Sequence, residues 1–126
     1  MYHVDIENTS DSSFTVKSRD YELIIDTHGK GITPPDTLLA SIGSCIGVYI
    51  QKYAAGSKLD LNKFKISLDA EFDAEKPVRF KTINVSIDLN GITLDERRKK
   101  AFLDFIKNCP VHNTIKNNPD IEISIV

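Results

Sequence analysis

Residues 33–57 read TPPDTLLASIGSCIGVYIQKYAAGS. Pro34 and Pro35 suit the first turn of a helix, where the missing N–H would have had no partner. Gly56 and Ser57 supply a C-terminal stop. The spacing predicts a helix from about Pro35 to Ala55. Inside it Ala40, Gly43, Ser44 and Gly47 recur at three- and four-residue intervals, and two mid-helix glycines cost about 1 kcal/mol each relative to Ala. A close approach of another backbone to this stripe is the expected compensation. Leu38, Leu39, Ile42, Ile46, Val48 and Ile50 occupy much of the remaining circumference, so the helix is expected to be buried on most sides.

Upstream, Tyr2 to Glu7 and Phe14 to Lys17 are short runs rich in β-branched and aromatic residues around the polar turn cluster Asn8 to Ser13, a hairpin pattern. Tyr21 to Asp26 adds a third strand, ended by the glycines of Thr27 to Gly31. Downstream, Phe64, Ile66, Leu68, Ala70 and Phe72 alternate with Lys65, Ser67, Asp69 and Glu71, which describes a strand with one wet face. After the Asp73 to Pro77 turn, Val78 and Phe80 are apolar at even positions, whereas Ile83, Val85, Ile87 and Leu89 are apolar at odd ones. A bulge near Lys81 and Thr82 would reconcile the two phases. Thr93 and Glu96 form a capping-box pattern opening a second helix, striped by Phe102, Phe105 and Ile106 and ending near Asn108. Cys109-Pro110 begins a short third helix, closed at Asn117-Asn118-Pro119. Ile121, Ile123 and Ile125 alternate as a last strand.

The order β-β-β, long helix, β-β, helix, short helix, β defines an α+β chain of mostly antiparallel strands, read as one domain over 1–126. A single six-stranded sheet covers one side of the long helix, so a dimer partner is expected on the other.

Composition narrows the function. The 126 residues carry 16 Lys plus Arg against 18 Asp plus Glu, without the basic excess that neutralising nucleic-acid phosphates demands. No secretory signal pattern opens the sequence. Thr37 to Gln51, the longest uncharged run, falls short of the ~20 apolar residues of a membrane span. A soluble, cytoplasmic protein is expected, binding neither nucleic acid nor membrane. In a reducing compartment its two cysteines, Cys45 and Cys109, are candidates for chemistry rather than a permanent staple.

Cys109 directly precedes Pro110 at the start of a helix, a position that lowers a thiol pKa. Because a thiol at about 8.5 is only a few per cent ionised at neutral pH, a downward shift multiplies the reactive thiolate. The alternative is a small hydrophobe plugging the helix start. Cys45 lies mid-helix beside Ser41, Ile42, Val48 and Tyr49, none cationic, and taken alone reads as an inert buried residue. No metal is expected, since Cys109 with His112 is a lone Cys-x-x-His and His3 and His28 stand apart. His112 reads as an exposed residue or a local polar partner. Neither a Gly-x-Ser-x-Gly elbow nor a phosphate-cradling Gly-rich loop is present.

Taken together, Thr33-Pro-Pro-Asp-Thr-Leu-Leu-Ala-Ser-Ile-Gly-Ser-Cys45 and Asn108-Cys-Pro-Val-His-Asn-Thr-Ile115 resemble the two signature segments of the OsmC/Ohr family, the osmotically inducible and organic hydroperoxide resistance proteins. The element order matches along nearly the whole chain. The resemblance implies an intertwined homodimer with crossing central helices, which would account for the small-residue stripe, and two active sites at the subunit interface. It also implies a cofactor-free thiol peroxidase active against oxidative stress: a Cys45 thiolate attacks the peroxide O–O bond and Cys109 resolves the sulfenic acid as a disulfide. A dithiol reductant, lipoyl-bearing or thioredoxin-like, would reopen that disulfide. The family's Glu, which holds an Arg against the thiolate, is matched by the shorter Asp36. The Arg is matched by Arg19 or by Arg79. Organic hydroperoxides are the expected substrates, given apolar site neighbours such as Ile42 and Tyr49. The alternative is a dimeric ligand-binding or redox-sensing protein of the same fold, without useful catalysis.

Overall fold

The computed structural model describes residues 1–126. Eight elements follow one another: β1 (Asp5–Asn8), β2 (Ser13–Ser18), β3 (Tyr21–Asp26), α1 (Pro34–Gly56), β4 (Lys65–Phe72), β5 (Phe80–Asp88), α2 (Glu96–Ile106) and α3 (Pro110–Lys116). The chain is α+β, with antiparallel sheets and a long helix. It divides into two compact units, Met1–Ala40 and Ser41–Val126.

In the first unit β1, β2 and β3 form an antiparallel sheet in that order, with Ile6 opposite Val16 and Val16 opposite Leu23. Asp26 ends β3 fully buried. Its carboxylate accepts hydrogen bonds from the Ser13 and Ser12 hydroxyls and from the His28 backbone N–H. These donors, Ser13 foremost, hold its pKa below the usual carboxylate value against the opposing effect of burial.

The second unit holds the core: Ile42, Ile46 and Ile50 of α1, Phe102 and Ile106 of α2, and Cys109. β4 and β5 pair antiparallel and present Ile66, Leu68, Ile83 and Ile87 to this cluster. The ladder shifts register where Ala70 faces Ile83 and Phe72 faces Phe80, so that Lys81 and Thr82 both stand across from Glu71. This is the bulge that the change of hydrophobic phase predicts. Tyr53 packs edge-on against Phe102, with ring centroids 5.3 Å apart.

Several expectations are corrected. The strands form a three-stranded and a two-stranded sheet instead of one six-stranded sheet. Ile121, Ile123 and Ile125 belong to no strand and are 79%, 91% and 99% exposed, because alternation defines a face without providing the neighbouring ladder a strand pairs with. Within the single chain the buried part of α1 is one stripe, Ile42, Gly43, Ile46, Ile50 and Ala54, and Leu38 and Val48 are left for a partner to cover. Within the same chain Gly43 and Gly47 meet side chains. A Cβ on Gly43 would lie 2.7 Å from Leu68 Cδ1, and one on Gly47 would lie 3.4 Å from Ile66 Cδ1. Finally, α2 is capped by Asp95, which accepts from the Arg98 N–H at 2.8 Å, and not by Thr93. An aspartate one residue before the helix is as good a cap as threonine and also complements the dipole.

Candidate active site

Cys45 sits halfway along α1, half-buried, packed against the core cluster that contains Cys109. Cys109 is the N-cap of α3, fully buried, with Pro110 at the first helical position. The His112 backbone N–H donates to Cys109 Sγ at 3.4 Å. Both cysteines are free thiols. Two sulfurs far apart in sequence are neighbours here: Cys45 packs against the cluster that contains Cys109 and lies close enough to act on its thiol.

Cap geometry alone predicts a lowered pKa for Cys109, and that expectation is overturned. Burial pushes the thiol up, and the neighbouring Cys45 side chain pushes it the same way. The N–H groups of His112 and Val111 oppose the shift without reversing it. Desolvation in a packed core outweighs two amide dipoles at the start of a helix only seven residues long. The surroundings of Cys109 thus favour the protonated thiol.

The other candidate residues are dispersed. Thr33 caps α1 by accepting from the Asp36 N–H at 3.3 Å, and its hydroxyl donates to the Asp36 carboxylate at 2.7 Å. Asp36 is therefore engaged in a helix cap and forms no ion pair with an arginine. Arg19 occupies the turn between β2 and β3, with a left-handed φ of 57°. Arg79 lies exposed just before β5, in the same compact unit as both cysteines.

Arg79 also lines a cavity of about 510 Å³. Ile42 and Ile46 of α1, Phe80, Ile83 and Val85 of β5, and Ile115 of α3 provide apolar walls, while Arg79, Lys81, Lys116 and His112 add basic groups. Ile46 directly follows Cys45, and Ile42 lies one turn before it. His112 is half-buried rather than exposed, and its Nδ1 is buried without a hydrogen-bond partner. Sequence reasoning passed over this residue, together with Lys81 and Lys116. The one signal for His112 was its place three residues after Cys109, which on a helix sets it at the third position after the cap.

Comparisons with known proteins agree with this architecture. A family model described as OsmC-like protein matches residues 27–124. A hydroperoxide reductase of Mycoplasma genitalium is 26% identical over 133 residues, covering 98% of this chain and 93% of the relative. Among solved structures, an OsmC-like protein from Mycoplasma pneumoniae superposes with a TM-score of 0.78 at 23% identity, covering 94% of this chain and 89% of that one. The organic hydroperoxide resistance protein OsmC of Legionella pneumophila does so with a TM-score of 0.65 at 18% identity, over 94% and 92%. The two structures share the fold, and the family match spans both cysteine segments. This chain belongs to the family of OsmC-like proteins.

Proposed function

We propose that this protein is a thiol-dependent peroxidase that reduces organic hydroperoxides through Cys45 and Cys109. The observation that carries the reading is the proximity of the two cysteine side chains within one core. Family membership and a relative named hydroperoxide reductase support a role in peroxide resistance.

In the first step the Cys45 thiolate attacks the outer peroxide oxygen. The O–O bond breaks, the alkoxide leaves and takes up a proton, and Cys45 becomes a sulfenic acid. In the second, Cys109 attacks the Cys45 sulfur, forming a disulfide and releasing water. A dithiol, lipoyl-bearing or thioredoxin-like, then reduces the disulfide by exchange. Arg79, which lines the cavity with Ile42 and Ile46, is the arginine assigned to the incoming peroxide. The apolar walls favour an organic hydroperoxide over hydrogen peroxide. The working state is a homodimer in the cytoplasm, in which the exposed Leu38 and Val48 of α1 and the unpaired Ile121 to Ile125 segment gain cover.

A second reading, a redox-sensing dimer with little turnover, is favoured by the capture of Asp36 in the helix cap. Turnover with cumene hydroperoxide and a dithiol separates the two. Activity should vanish in Cys45→Ser and decay rapidly, through over-oxidation, in Cys109→Ser. Unchanged turnover in Cys45→Ser would overturn the peroxidase reading. Stoichiometric disulfide formation without turnover would favour the sensor.

A further inference from the structure

The attack by Cys109 raises a chemical difficulty that its surroundings define. The nucleophile in disulfide formation is a thiolate, yet Cys109 is fully buried and its environment favours the protonated thiol. A base close to Cys109 would remove the difficulty.

His112 is the candidate. It is the third residue of α3, counted from the Cys109 cap, and its backbone N–H already bonds Cys109 Sγ at 3.4 Å. Side chains on a helix lean toward its N-terminus, which carries the imidazole of such a residue back over the capping turn. Its Nδ1 is buried and bonds no group of the resting chain, Cys109 Sγ included, so it is free to accept a proton as Cys109 moves to attack. A buried polar atom left unpaired carries an uncompensated desolvation cost, so a fold that keeps one calls for a reason. The ring also borders two cavities, the 510 Å³ one and a smaller one of about 190 Å³ against Leu103, Ile106 and Lys107. The charged groups around these spaces are Arg79 just before β5, Lys81 in β5, Lys116 from α3 and Lys107 at the end of α2. No carboxylate lines either space to hold the imidazole in an ion pair.

We propose that His112 is the base that accepts the Cys109 proton, at Nδ1, as Cys109 attacks the oxidised Cys45. The inference rests on the two-cysteine reading above. As the thiol proton passes to Nδ1, the Cys109 sulfur forms a bond to the Cys45 sulfur and the S–O bond of the sulfenic acid breaks. The departing hydroxide takes the proton back from His112 and leaves as water. The Cys109 sulfur is oxidised, the Cys45 sulfur is reduced, and the imidazole ends neutral as it began.

The test isolates this step from peroxide chemistry. One equivalent of dithiobis(nitrobenzoate) forms a mixed disulfide at Cys45, releasing one nitrothiobenzoate anion. Attack by Cys109 then releases a second, whose departure needs no proton, and Cys109→Ser marks the trace without it. In His112→Gln the first release should keep its wild-type rate. The second should slow at least about tenfold at neutral pH, the lower range for loss of a general base, and recover as rising pH ionises Cys109 unaided. In His112→Ala added imidazole should restore the second release. A second release at the wild-type rate in both variants overturns the proposal, as does a slowing that neither alkali nor imidazole reverses. The same variants are then oxidised with cumene hydroperoxide and followed by intact mass. If peroxide leaves Cys45 unoxidised while the second release still depends on His112, the peroxidase reading fails and the inference about His112 stands.

Discussion

Gly43 and Leu68 fit so closely that a single methyl group on the glycine would stand 2.7 Å from Leu68 Cδ1. Gly47, one turn further along α1, would place its methyl 3.4 Å from Ile66 Cδ1, an ordinary contact. The two glycines therefore respond differently to alanine. Gly47→Ala should stabilise the protein by about 0.5–1 kcal/mol through helix propensity. Gly43→Ala must move the Leu68 side chain and should gain little or nothing, and Gly43→Leu should lose about 1–3 kcal/mol by overpacking. Urea denaturation of the three variants measures the order. A Gly43→Ala variant as stable as Gly47→Ala would contradict the close fit.

The burial of Cys109 predicts a loss of stability in alkali. Its pKa is raised in the folded chain, so the contribution is fully present below the unfolded value of about 8.5 and is lost as pH rises from there through the folded value. Wild type should show a steeper fall in urea midpoint between about pH 8 and pH 10 than Cys109→Val, which shares every other titrating group. Parallel slopes would remove the thiol as the cause.

The same burial separates the two thiols toward reagents. With iodoacetamide at neutral pH, half-buried Cys45 should be alkylated well before Cys109, which has no exposed surface. Peptide mass mapping at partial modification reads the order.

Asp26 predicts the opposite pH dependence. Its pKa is lowered, chiefly by the Ser13 hydroxyl, so its contribution is present above the unfolded value of about 3.9 and is lost as pH falls through the folded one. Ser13→Ala should lower the urea midpoint near neutrality and flatten its fall in acid. An unchanged acid profile would dismiss the Ser13 bond as the source.

At the start of α2 the cap is Asp95, 2.8 Å from the Arg98 N–H. Asp95→Ala should cost about 1 kcal/mol, while Thr93→Ala stays within about 0.5 kcal/mol. Thermal melts of the pair decide it.

The sequence made the long helix, the phase change at Lys81 and the Cys109 cap legible, because each depends on neighbours within a turn or a strand. What it left open depends on residues far away along the chain. Burial of Cys109 comes from Ile46, Ile50 and Phe102, contributed by other helices, and no local pattern weighs that desolvation against the cap N–H groups. Asp36 takes its place from the Thr33 hydroxyl, which donates to its carboxylate in the cap of α1, a tie that spacing from Cys45 does not foretell. Ile121 to Ile125 show the alternation of a strand, and a strand exists only where a second ladder meets it. His112 gave no periodic signal, since its orphaned nitrogen is a property of the packed core.

The extra residue in β5 reaches further than local geometry. With Lys81 and Thr82 both set against Glu71, the chain before the irregularity is turned half a pleat relative to the chain after it. Pairing the two strands without the bulge, Lys81 against Phe72, would leave Ile83 to Ile87 inward and send Phe80 to the wet side of the ribbon, carrying Arg79 with it to the opposite surface. The guanidinium would then leave the wall it shares with His112, so the handedness of this mouth hangs on a one-residue count in the strand.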